Sequence, residues 1–161
     1  MIHKQYTFTV DSRVFYILYV LSFYHLNPII VITLSTLAQA TAQEVFDQAY
    51  IHLLTQNEKS INLESDTNAC LYRGPNGLKC AVGCFIADDE YAPIIENKSW
   101  SSIVVNETVD YFAKKVDVNC QHNGLLKTLQ NIHDETPVNS WKVMLQDTAI
   151  IYNLTCPELP L

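Results

Sequence analysis

Cys70-Leu71-Tyr72-Arg73-Gly74-Pro75-Asn76-Gly77-Leu78-Lys79-Cys80-Ala81-Val82-Gly83-Cys84-Phe85-Ile86 holds three of the five cysteines and three of the four glycines of the chain, and its reading decides the fold. Gly74-Pro75-Asn76-Gly77 is a turn with a mechanism: proline presets φ at the second position, and Asn-Gly tolerates the positive φ of a tight turn. The flanks Cys70 to Arg73 and Leu78 to Cys80 are therefore expected to pair as a short β-hairpin. The apolar run Ala81 to Ile86 is a core element, and periodicity alone leaves helix and strand both open for it. As a helix it would put Cys80 near an N-terminus, where the macrodipole favours a thiolate.

Upstream, Thr41-Ala42-Gln43-Glu44 is a capping box placed before Val45, Phe46, Ala49 and Leu53, which recur at helical spacing. The spacing predicts a helix over Ala42 to Gln56, with His52 beside its apolar stripe as a satisfied or solvent-facing residue. Asn57 to Ala69 is polar and reads as a loop. Downstream, Asp88-Asp89-Glu90 reads as a solvated face or helix start, because it lacks the spaced ligands of a cation loop. Glu107 to Lys115 predicts a short helix. Asn123 is expected to cap a further helix whose Leu125, Leu129, Ile132 and His133 share a face. Thr136-Pro137 then starts a last helix, with Val138, Trp141, Leu145, Ala149 and Tyr152 inward, ending near Asn153.

From Arg13 to Glu44 the chain carries no charge, and beyond residue 40 it holds 8 Lys+Arg against 16 Asp+Glu. Phosphate-backbone binding draws on Lys and Arg that release counterions, so an acidic domain of this kind excludes nucleic acid as the expected partner. Residues 14–37 are apolar enough to enter a membrane, although His25-Leu26-Asn27-Pro28 interrupts them, and Lys4 and Arg13 ahead of them would hold the N-terminus inside. Ala38-Gln39-Ala40 matches a signal-peptidase site. Residues 1–40 thus read as an apolar leader, transmembrane or signal-like, with extraneous upstream sequence as the other reading. Localisation follows the leader: membrane or exported if it is native, cytoplasmic if it is not. Asn97-Lys98-Ser99, Asn106-Glu107-Thr108 and Asn153-Leu154-Thr155 match a glycosylation triplet, which has meaning only in a eukaryotic secreted chain.

The expected fold class is mainly α (α+β). A small helical domain over 41–154 carries one short β-hairpin, is preceded by an apolar N-terminal helix, and is followed by a tail at 155–161. The helix Ala42 to Gln56, the stretch Tyr72-Arg73-Gly74-Pro75-Asn76-Gly77-Leu78-Lys79-Cys80-Ala81-Val82-Gly83-Cys84, the triplet Ile132-His133-Asp134 and the Trp141 helix together resemble a family of small bacterial and phage proteins of unknown function. That resemblance covers Ala42 to Leu154 and implies neither an activity nor a cofactor.

Three functions suit these residues. Cys80 as nucleophile, His133 as base and Asp134 as orienting carboxylate would make a thiol-dependent hydrolase or transferase. Cys70, Cys80, Cys84 and His133 offer four ligands for a structural zinc site, without the paired CxxC knuckle. A small acidic, non-catalytic interaction domain acting on a protein partner needs no special residue, and it is the favoured expectation. The five cysteines, Cys70, Cys80, Cys84, Cys120 and Cys156, are odd in number and require no disulfide framework.

Overall fold

The computed structural model describes residues 31–62, 70–105 and 121–159. The predicted helix at Glu107 to Lys115, Cys120, and residues 1–30 of the leader lie outside the described residues. The folded unit containing the described residues begins at Val31.

The described residues are mainly helical. Helix α1 (Ala42–Gln56) starts at the capping box: Thr41 Oγ1 accepts from the Glu44 N–H, and the Thr41 N–H donates to Glu44 Oε2 at 2.7 Å. It ends where Asn57 takes a left-handed φ of 49°. Val45, Phe46, Ala49, Tyr50 and Leu53 are its buried face. Helix α2 (Trp100–Val105) is short, α3 (Asn123–Glu135) is central, and α4 (Trp141–Ile151) closes the set. α3 packs on α1, α2 and α4, and α1 also packs on α4. Leu125, Leu129, Ile132 and His133 of α3 are all buried, as are Trp141, Leu145 and Ala149 of α4.

Two helix starts differ from the sequence reading. Asn123 lies inside α3, and its Oδ1 accepts from the Trp100 indole N–H at 3.2 Å, so the residue ties α2 to α3 instead of capping. Thr136 closes α3, with its hydroxyl donating to the Ile132 carbonyl at 2.6 Å; Pro137 leads a 3-10 turn, Val138–Ser140, before α4.

The β-hairpin does not form. Pro75–Gly77 is a 3-10 turn, and the only pairing across it among the described residues is an isolated antiparallel bridge between Arg73 and Lys79. Side chains distant in the chain take the groups that a ladder would pair. Glu96 accepts the N–H of Tyr72 at 2.9 Å and of Arg73 at 3.1 Å. Gln56 accepts the Lys79 N–H at 3.0 Å, and both His52 Nε2 and Gln56 Nε2 donate to the Lys79 carbonyl. With its backbone already satisfied, the stretch gains nothing from strand pairing. The run Ala81 to Ile86 is neither long helix nor strand but a buried turn followed by a 3-10 turn, Gly83–Phe85, packed on α1. Gly83 is fixed there by space: a Cβ would run into the Tyr72 carbonyl oxygen.

The leader boundary also moves. Ile32, Leu34 and Leu37 are buried in the core with the helical residues. Gln48 of α1 grips Ile32 from both sides, accepting its N–H at 2.7 Å and donating to its carbonyl at 2.9 Å. The domain therefore includes residues 31–40, which form turns and a short 3-10 segment, Leu37–Gln39, rather than the end of an apolar helix. Apolar composition suits a core as well as a bilayer, and neither the Ala38-Gln39-Ala40 match nor the capping box at Thr41 shows that the apolar residues just before them pack on α1. Among the described residues no helix is long and apolar enough to cross a membrane.

Candidate functional site

His133 lies in the last turn of α3 and is fully buried, stacked on Trp141 of α4 with ring centroids 5.4 Å apart. Its Nε2 stands 3.0 Å from the backbone N of Ser60, which can only donate; its Nδ1 stands 2.8 Å from Asp134 Oδ1. Nε2 is therefore the acceptor and Nδ1 carries the proton donated to Asp134. Ser60 is itself fully buried, and its carbonyl accepts the Leu71 N–H at 2.8 Å. Lys59 Nζ donates to the Asp134 carbonyl at 2.7 Å. The imidazole latches the loop after α1 to the end of α3, and the Ser60 carbonyl extends the tie to the segment at residue 71.

The structure brings two of the three predicted catalytic residues together, His133 and Asp134. The thiol that joins them is Cys70: its Sγ and one ligand atom each of His133 and Asp134 lie within 4.8 Å of one another, and Cys80 is not part of this group. Cys80 is buried instead under the Gly83–Phe85 turn, where its Sγ accepts the Gly83 N–H at 3.2 Å. Burial pushes the Cys80 thiol up, away from thiolate. Burial, reinforced by the Asp134 carboxylate, pushes Cys70 up to about 12, and burial does the same to Cys84. None of these environments resembles the electropositive, half-open setting that activates a cysteine.

The four-ligand zinc set is not assembled either. Cys84 donates its thiol to the Ala81 carbonyl at 3.2 Å, and neither Cys84 nor Cys80 belongs to the cluster around His133. A cation held by Cys70, Asp134 and His133 Nδ1 would need a proton on Nε2, since a ligating histidine donates through its other nitrogen. That proton would face the Ser60 N–H, two donors head on. The donor set fits hydrogen bonding better than a metal.

The remaining candidates are structural. Glu90, expected on a solvated face with Asp88 and Asp89, is buried, and accepts the N–H groups of Leu34, Ser35 and Ala87 at 2.9 to 3.0 Å. Burial alone would raise its carboxyl, but these N–H groups outweigh it and hold it below the usual carboxylate range. Asp88 pairs with Arg73 at 2.8 Å, and the Arg73 guanidinium lies over the Tyr91 ring. His52 donates to the Lys79 carbonyl, and burial lowers its pKa. A cleft of about 200 Å³ beside the loop is lined by Asn57, Lys59, Ile61, Pro75, Leu78 and Val138; small-molecule sites run from about 300 Å³ upward. Sequence reasoning missed Ser60, whose contribution is a backbone N–H with no side-chain signature, and missed Glu90 and Glu96 as binders of backbone. No protein family, no curated protein and no solved structure matches this chain.

Proposed function

We propose that the chain is a small, acidic, non-catalytic interaction domain acting on a protein partner. The observation that carries this reading is the His133 ring, both of whose nitrogens are committed to holding the fold. A base must have a free lone pair aimed at the proton it takes. Here that lone pair holds the Ser60 N–H. Cys70 beside it, and Cys80 under the Gly83–Phe85 turn, are kept as thiols by burial, which supports a packing role for them.

Thiol alkylation of the folded full chain near neutral pH tests the reading. Exposed Cys156 is alkylated by iodoacetamide in the folded protein, while buried Cys80 reacts only as the protein unfolds. Rapid, stoichiometric labelling of Cys80 in the folded protein would contradict the proposal and favour the thiol enzyme.

A further inference from the structure

α4 has two faces. Trp141, Leu145, Thr148 and Ala149 face the core, while Val143, Met144, Ile150 and Ile151 are exposed, the last two at 77% and 75%. Single exposed apolar residues are ordinary, but a contiguous set on one helix face marks a contact surface. These four share a second feature. They occupy positions i−4, i−3, i+3 and i+4 around Asp147, the places that neighbour it on a helix surface. Asp147 is exposed and forms no ion pair among the described residues.

A carboxylate ringed by apolar side chains sets the chemistry of whatever covers it. Any body that buries the apolar ring also takes Asp147 out of water, which is costly unless a cation meets it. A second copy of this chain pairing antiparallel about the middle of the stripe would bring two Asp147 carboxylates together, so self-association is disfavoured. A bilayer would bury the charge with no counterpart.

Resting on the interaction-domain reading, we propose that the outer face of α4 binds an amphipathic helical segment of a partner protein whose apolar stripe carries one Arg or Lys at its centre. The apolar side chains pack on Val143, Met144, Ile150 and Ile151, and the basic residue pairs with Asp147 inside the ring they form. The ring keeps water from the ion pair, which makes Asp147 the selector of partner charge.

Selection of a yeast-displayed library of helical peptides on the full chain, and on its Asp147→Lys and Ile150→Ser variants, tests this. The wild-type chain is expected to enrich apolar-striped peptides with a central Arg or Lys, and Asp147→Lys to enrich Asp or Glu at that place. Ile150→Ser is expected to yield neither. A peptide from the first selection should bind the wild-type chain about tenfold tighter, or more, than the Asp147→Lys variant. The proposal is overturned if no peptide is enriched, if the consensus lacks a basic residue, or if it is unchanged by Asp147→Lys. It is also overturned if sedimentation shows a wild-type dimer that Ile150→Ser converts to monomer. All of these leave the non-catalytic reading standing, which fails separately through rapid labelling of Cys80.

Discussion

The Ser60 backbone N–H donates to Nε2 of His133, 3.0 Å away and 73 residues later in the chain. A residue pair that reads in the sequence as base and orienting carboxylate, His133-Asp134, is thereby turned inward to hold a loop.

Replacing His133 should be costly. His133→Ala strands the buried Ser60 N–H and removes the ring stacked on Trp141, so a loss of about 3 kcal/mol is expected in urea unfolding. Asp134→Asn keeps an oxygen that can accept from Nδ1–H, and should cost less than about 1 kcal/mol. A latch gives this ordering; equal losses from the two variants would speak against it.

Gly83→Ala forces a methyl against the Tyr72 carbonyl, which Glu96 helps to hold by accepting the neighbouring N–H groups. Overpacking against backbone should cost at least about 3 kcal/mol. Gly124→Ala, whose added methyl meets the Tyr152 hydroxyl in ordinary contact, serves as the tolerant control.

Stability should fall with acid in two stages. Burial lowers the pKa of His52, so the fold favours the uncharged ring; that contribution is whole above the ordinary imidazole value of 6.5 and is lost as pH falls below it. Glu90 is also lowered, so its contribution is whole above the ordinary 4.5 and is lost as pH falls through the folded value. Urea midpoints measured from pH 8 to 3 should decline through both ranges. Glu90→Gln should cost about 2 kcal/mol at pH 7 by weakening its charge-assisted bonds, and should flatten the lower stage. An unchanged lower stage in that variant would show that Glu90 is not responsible.

Leu37→Ala tests whether residues 31–40 belong to the domain. Leu37 is as buried as Leu126 of α3, and each truncation should cost about 3 kcal/mol. A negligible effect at Leu37 would return those residues to a dispensable leader.

What the sequence made legible is what local chemistry dictates. The capping box and stripe of α1 are complete within sixteen residues, 41–56, and α3 displays its buried face at helical spacing. The hairpin failed because its rivals lie far away: Gln56, His52 and Glu96 take the backbone of Arg73 and Lys79 from both sides of the chain. No pattern in the sequence carries the distance between Cys80 and His133, and among the described residues it is the Cys70 thiol that lies within 4.8 Å of the His133 and Asp134 ligand atoms. Glu90 looked like one charge among three, since nothing in Asp88-Asp89-Glu90 tells which carboxylate will meet Leu34 and Ser35.

The tautomer of His133 tests the central claim most directly. Nitrogen-15 NMR of the ring in the folded full chain should show the proton on Nδ1 and Nε2 as the acceptor, with a through-bond coupling from Nε2 to the Ser60 amide. A proton on Nε2, or an Nε2 free of the Ser60 amide and shifted when Cys80 is alkylated, would contradict the latch and restore His133 as a base.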